Sequence, residues 1–264
     1  MVDIKEYVYE SLQQNRVHRW NKKVVTVYIT SITNPLYKNQ QQEYNALIKE
    51  GLAQWNKIIG NKVKFQITQD STNPDIVVRF PRVTNQYWGM CYYDNIQNGE
   101  YKKLTVKIGL SNEYNGAKLT PNEKLVLVLH EFGHALGLGH SIGKNIMTAG
   151  YYPEKNWISI VDIITLKILY DLPAGAYYED VKDDIKNLSK KYQDLFLNKS
   201  IKDEKNMKNG VEQNNIQMSL EEIGNLNLYK ISLEQNVQLP PDYLKIMNDQ
   251  QLKNYNTQND KDSQ

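Results

Sequence analysis

Cys91 is the only cysteine in 264 residues, so no disulfide can form within the chain and cysteine usage leaves the redox compartment open. Histidine is nearly as scarce, at four positions. The longest uninterrupted apolar run, Leu125 to Leu129, falls far short of the ~18 residues a membrane helix needs, which excludes a helical bilayer span. Neither sign of charge dominates: 32 Lys+Arg oppose 30 Asp+Glu, for a formal net charge of +2. That near neutrality argues against nucleic acid or an anionic membrane as the main partner. Met1 to Glu10 has no basic cluster followed by an apolar core, so the opening residues do not read as a secretory signal. What is present, an apolar fraction of 40%, suffices for one or two globular domains.

The composition changes near Pro173. Residues 1–173 carry 20 Lys+Arg against 15 Asp+Glu, with all four Trp and all four His, while residues 174–264 carry 12 against 15. We read a lead over residues 1–19, a folded domain over 20–173 and a polar tail over 174–264. In the tail, Val181, Ile185, Leu188, Tyr192 and Leu195 recur at helical spacing, which predicts a helix over about 178–197 that packs on the domain or binds an unidentified partner. Beyond Asn206 the Asn/Gln/Lys-rich composition predicts disorder. A monomer is expected.

Val24 to Ile29 is β-branched and short, as a buried strand would be. Tyr44, Leu47, Ile48, Leu52, Trp55 and Ile59 then recur every three to four residues before Gly60, the pattern of an amphipathic helix. Val63 to Ile67 and Ile76 to Phe80 alternate as half-buried strands do. Tyr87 to Tyr93 and Leu104 to Leu110 flank Asn98-Gly99, a pair that accepts the positive φ of a tight hairpin, so these two strands are expected to be antiparallel neighbours. Thr120, Pro121 and Glu123 supply a capping box and a first-turn proline for a helix ending near Gly137. A last domain helix should run from about Ser159 to Pro173. This order predicts an α+β domain in which helices cover a mixed sheet.

Residues 130–140 read HEFGHALGLGH. His130 and His134, four apart on a helix, project from one face and can share a metal ion. A third ligand cannot follow on the same straight helix, and Gly137 and Gly139 allow the chain to turn so that His140 comes back to the site. Three imidazoles leave one tetrahedral position open, the catalytic arrangement for one zinc ion. Glu131, beside the first ligand, is the expected general base. Two blander readings remain: histidines that only hydrogen-bond locally, and a metal site without catalysis.

The motif resembles that of the metzincin zinc endopeptidases, and Ser141 directly after the third histidine resembles the matrixin branch, the matrix metalloproteinases and their bacterial relatives. Resemblance extends over most of residues 20–172, through Trp20, Trp55, Asp75-Ile76 and Asp162-Ile163. It implies a zincin-like fold: a mixed, mostly parallel, twisted five-stranded sheet with an antiparallel edge strand, an active-site helix and a C-terminal helix. It also implies a protein or peptide substrate, and extracellular work. Met147 would be the methionine of the Met-turn beneath the metal, Val126 the floor of the S1′ pocket with a hydrophobic P1′ preference, and Tyr151 a wall of that pocket. Gly89 and Cys91 would lie on the edge strand that binds substrate. Asp162 would accept hydrogen bonds from the Met-turn backbone, and Asp75 corresponds to a calcium ligand in animal relatives. Three features depart from the family. No histidine lies between Phe80 and Thr120 for a second zinc, no cysteine-switch segment is present, and Thr148-Ala149 follows Met147 where Tyr-Pro is usual. Val126 could equally be core filler, His18 is expected at the surface, and a catalytically silent peptide-binding protein is the rival to the enzyme.

Overall fold

The computed structural model describes residues 3–81, 89–111, 116–141, 145–149 and 158–207. Five strands, β1 Val24–Ile29, β2 Lys64–Thr68, β3 Ile76–Arg79, β4 Gly89–Gln97 and β5 Glu100–Ile108, form one sheet in the order β2-β1-β3-β5-β4. β1 pairs in parallel with β2 and β3, β3 in parallel with β5, and β4 antiparallel with β5 at the edge. The sheet is therefore mixed and mostly parallel, and with the helices described below it makes an α+β domain.

Local sequence accounts for most of these elements. The β4–β5 turn places Asn98 at φ 50° and Gly99 at φ 78°, the two positive values that let a two-residue loop match the strand twist. β3 departs from the expected alternation: Ile76, Val77 and Val78 are all buried. The cause is its central position between β1 and β5, where parallel strands are covered on both faces. β4 and β5 extend to the turn on both sides, to Gln97 and from Glu100. Tyr87 and Trp88 lie outside the described residues.

Helix α2, Gln41–Ile59, turns Tyr44, Ile48, Leu52, Trp55 and Ile59 into the core. Helix α3, Pro121–Leu136, starts on the expected Thr120/Glu123 capping box and ends at Gly137, φ 108°. The two helices pack on each other through apolar side chains, and the Phe65 and Phe132 rings meet edge to face at 5.4 Å. Trp55 Nε1 donates to the Leu129 carbonyl at 3.0 Å, and Trp20 Nε1 to the Ala135 carbonyl at 2.8 Å. Both tryptophans thus bury their rings and satisfy their one polar atom on the helix that carries the histidines.

Helix α4, Ile160–Asp171, begins on a Ser159/Asp162 capping box. Against it packs helix α1, Ile4–Glu10, which buries Ile4, Tyr7 and Val8. The following residues thread between two other segments: Val17 exchanges backbone hydrogen bonds with Ala176 and Gly175, and Arg19 with Gly99 and Tyr101. His18, expected at the surface, is therefore only 6% exposed and lies beside the Tyr101 ring. Burial, reinforced by the Arg16 charge, keeps its pKa below the usual histidine value.

Helix α5 runs Tyr178–Met207, ten residues beyond the expected end at about 197. Only the first part of its apolar stripe is used: Val181 and Ile185 are buried, whereas Leu195 is 55% exposed. Tyr192 donates to Asp171, which also holds Lys62 at 2.7 Å. The chain divides into one unit over Met1–Lys202 and a second over Asp203–Gln264. Within the second unit the described part is the last turn of α5, so the expectation of disorder beyond Asn206 lies largely outside the described residues. No helix among the described residues is long and apolar enough to cross a membrane.

Candidate active site

Helix α3 presents His130 and His134 one turn apart. Their Nε2 atoms are 3.1 Å from each other, and His134 Nε2 is 3.3 Å from His140 Nε2. The turn at Gly137 brings the third imidazole back, so that one ligand atom from each histidine lies within 4.8 Å of the others. The hydrogen bonds at the far ring nitrogens fix what these atoms are. His130 Nδ1 lies 2.7 Å from the Ile146 carbonyl and His134 Nδ1 2.8 Å from the Leu138 carbonyl. A carbonyl only accepts, so each Nδ1 carries the proton and each Nε2 carries a lone pair. Two lone pairs facing across 3.1 Å repel each other; they are not a hydrogen bond.

Burial disfavours the alternative of protonating these rings. Desolvation holds the His130 pKa down to about 4 and that of His134 to about 3, and lowers His140 as well. A cation shared by the three Nε2 atoms resolves the repulsion. The donor set fits zinc: metal–nitrogen bonds of ~2.0–2.1 Å in a tetrahedron give ligand edges of about 3.3–3.4 Å, close to the spacings found here.

Glu131 is 3% exposed, and its Oε2 has no hydrogen-bond partner among the described residues. Burial pushes its carboxyl well above the usual carboxylate range. The side chain lies against Gly89 of the edge strand, where an added β-carbon would come within 2.4 Å of Glu131 Oε1. Gly89 and Glu131 are thus adjacent, which neither spacing nor composition could show. Cys91 is half-buried on the same strand. Burial first, then the carboxylates of Glu131 and Asp94, raise its pKa well above the ordinary thiol value, which keeps it in the unreactive thiol form. Val126 is half-buried one turn before His130. Tyr151 lies outside the described residues.

Met147 is fully buried, and its sulfur sits against Gly133, between the two helical histidines, where a β-carbon would overlap it. Asn145 organises this reversal. Its Oδ1 accepts from Met147 N–H at 3.1 Å and its Nδ2 donates to Ser141 Oγ at 2.8 Å, while Ser141 N–H donates to the Met147 carbonyl at 2.9 Å. Asn145 was not singled out from sequence, where an isolated asparagine reads as an ordinary turn residue.

Asp162 differs from the expectation. Among the described residues it accepts from Ser159 N–H and Oγ and from Tyr7 Oη at 2.8 Å, in place of the Met-turn backbone. Calcium finds no support at Asp75, whose carboxylate is occupied by Lys22 Nζ and by the Thr26 amide and hydroxyl.

Comparison with known proteins agrees with this geometry. Matrix metalloproteinase-C of Caenorhabditis elegans is 26% identical over 157 residues, which are 52% of this chain and 24% of that protein. The chain thus spans about a quarter of that relative's length. A family model described as Matrixin matches residues 19–171, from just before Trp20 to the end of α4, and so includes the three histidines, Glu131 and Met147: the chain belongs to the matrixin family of metallopeptidases.

Proposed function

We propose that this chain is a zinc-dependent endopeptidase in which His130, His134 and His140 hold one zinc ion and Glu131 is the general base. The observation that carries the reading is the convergence of three Nε2 lone pairs, two of them fixed by carbonyls behind the rings. When bound, zinc supplies Lewis acidity that lowers the pKa of water towards ~7 and polarises the scissile carbonyl. Glu131, unpartnered at Oε2 and raised in pKa by burial, is suited to take the proton from the attacking water. It then delivers that proton to the departing amine as the peptide C–N bond breaks. The buried Met147 beside Gly133 supports the two helical ligands from below.

The substrate in this reading is an extended peptide. Among the described residues β4 has one sheet neighbour, β5, and its other edge, near Glu131, can accept a further strand by main-chain hydrogen bonding. Gly89 keeps that edge clear of side chain beside the base, and Cys91 lines it. Val126 would meet the residue on the amine side of the scissile bond, favouring a hydrophobic side chain there.

Casein cleavage by the wild type, by Glu131→Gln and by chelated wild type tests the reading. Removal of the base should lower the rate by ~10² to 10⁴-fold while zinc content stays the same. Equal rates in mutant and wild type would dismiss the mechanism, and no cleavage by any sample would favour the silent peptide binder.

A further inference from the structure

We propose that Ser11 is a positioning residue for His140, and that residues 3–19 form a clasp that holds the third-ligand turn in place. The inference rests on the zinc reading above. It starts from an asymmetry among the ligands. His130 and His134 are set by one helix, but His140 follows Gly137 and Gly139, which carry no side chain that could lock the turn locally. Three contacts fix its first part: Gly137 N–H to the His134 carbonyl, Leu138 N–H to the Gly133 carbonyl, and His134 Nδ1 to the Leu138 carbonyl. The next amide, that of Gly139, is met from 128 residues away by Ser11 Oγ at 2.9 Å.

Ser11 is arranged for this task. It is 2% exposed, and its hydroxyl donates to the Tyr7 carbonyl at 2.8 Å. With the proton committed there, an oxygen lone pair is left for Gly139. The backbones also touch: a β-carbon on Gly139 would come within 2.3 Å of the Glu10 carbonyl oxygen and 2.9 Å of Ser11 Cα. At the other glycine, a β-carbon on Gly137 would come within 2.7 Å of the His18 carbonyl oxygen. Residues 10–11 and 18 thus enclose the turn from two places.

The clasp is itself anchored. Tyr7 Oη holds Asp162 of α4 at 2.8 Å, and Val17 exchanges hydrogen bonds with Ala176 and Gly175 at 2.9 and 2.8 Å. Ser11 therefore acts as a fixed reference for the residue before His140. Loss of its hydroxyl frees the Gly139 amide, and the cost falls on metal binding more than on the fold.

The test is zinc affinity by chelator competition, together with the visible absorption of Co²⁺-loaded protein, for full-length wild type, Ser11→Ala and Gly139→Ala. Ser11→Ala should weaken zinc binding ~10-fold, the low end of what loss of a group bonded to a ligand itself costs, since Ser11 acts one residue away, and should alter the Co²⁺ spectrum while the chelated protein melts close to wild type. Gly139→Ala, which keeps the hydroxyl but drives the Glu10 carbonyl away, should weaken binding as much or more, and it decides the matter should Ser11→Ala not fold. Wild-type affinity and spectrum in these variants would overturn the clasp alone. So would a loss of affinity fully matched by loss of stability in the chelated protein. A wild type that binds neither ion would overturn the zinc reading and the clasp together.

Discussion

The two ends of helix α3 are held by different physics. Its first three turns pack through Leu125, Val128, Leu129 and Phe132 onto α2 and the sheet, where side chains are buried and non-directional apolar contact dominates. Its exit, over the described residues 137–141 and 145–147, is held by hydrogen bonds to carbonyls and side-chain oxygens: Leu138 and Ile146 on the rings, Asn145 on Met147, Ser11 on Gly139. The apolar end tolerates small shifts, because burial depends little on direction. The polar end does not, because a hydrogen bond weakens steeply with misalignment. The proposed metal site joins the two, with two histidines from the first kind of structure and one from the second.

The largest expected effect separates the ligands. His134→Ala and His140→Ala should each abolish stoichiometric metal, read by elemental analysis. The half-buried His134 should also cost stability in the chelated protein, whereas the exposed His140 should leave it within ~0.5 kcal/mol. Equal losses of stability in both variants would erase the contrast between helix-borne and turn-borne ligands.

Next in size is a pH effect at Asp162, which anchors the amino-terminal segment that meets the polar end. Burial pushes Asp162 up to about 6 even against the hydrogen bonds from Ser159 and Tyr7. A folded pKa above the unfolded ~3.9 means that the folded state binds the proton more tightly. The resulting stability is complete below about pH 4 and is lost as pH rises through 6, by up to ~3 kcal/mol. Thermal melts of chelated protein from pH 4 to 7 should show this decline, and Asp162→Asn should flatten it. An unchanged slope in the variant would place the pH sensitivity elsewhere.

The smallest effect is the most local. Gly89→Ala must displace Glu131, since its β-carbon would overlap Oε1, Cδ and Cγ. We expect kcat to fall about tenfold from misplacement of the base, with metal content and melting temperature unchanged. A wild-type kcat would show that the edge strand does not constrain Glu131.

The sequence was most legible where local rules suffice. The capping box at Thr120, the helix start at Ser159, the Asn98-Gly99 turn and the i, i+4 histidines are each specified by neighbours along the chain. They appear where expected. Less legible were the partners of the site. The carbonyls of Ile146 and Leu138 have no sequence signature, since every residue carries one. Gly89 reads as any strand glycine until Glu131 is seen beside it. The N-terminal segment did carry a signal, with Asp3 capping a helix and Ile4, Tyr7 and Val8 at spacings of three and four, but nothing in it named what that face would cover. The error at His18 has the same origin: flanking arginines suggest solvent, while burial was decided by the Gly99 and Gly175 backbones closing around Val17 and Arg19.

Sequence alone singled out the proposed ligands and the proposed base, because helical periodicity puts His130 and His134 on one face, the glycines after them permit a turn, and Glu131 lies beside the first histidine. Only the tertiary structure decided that the ring tautomers leave every helical Nε2 lone pair free, that Glu131 lies against the sheet edge, and that the third ligand's turn is closed by residues near the amino terminus. The division is physical. Torsional preference and periodicity act over a few residues and are written locally, whereas hydrogen bonds between distant segments exist only once the chain has brought them together.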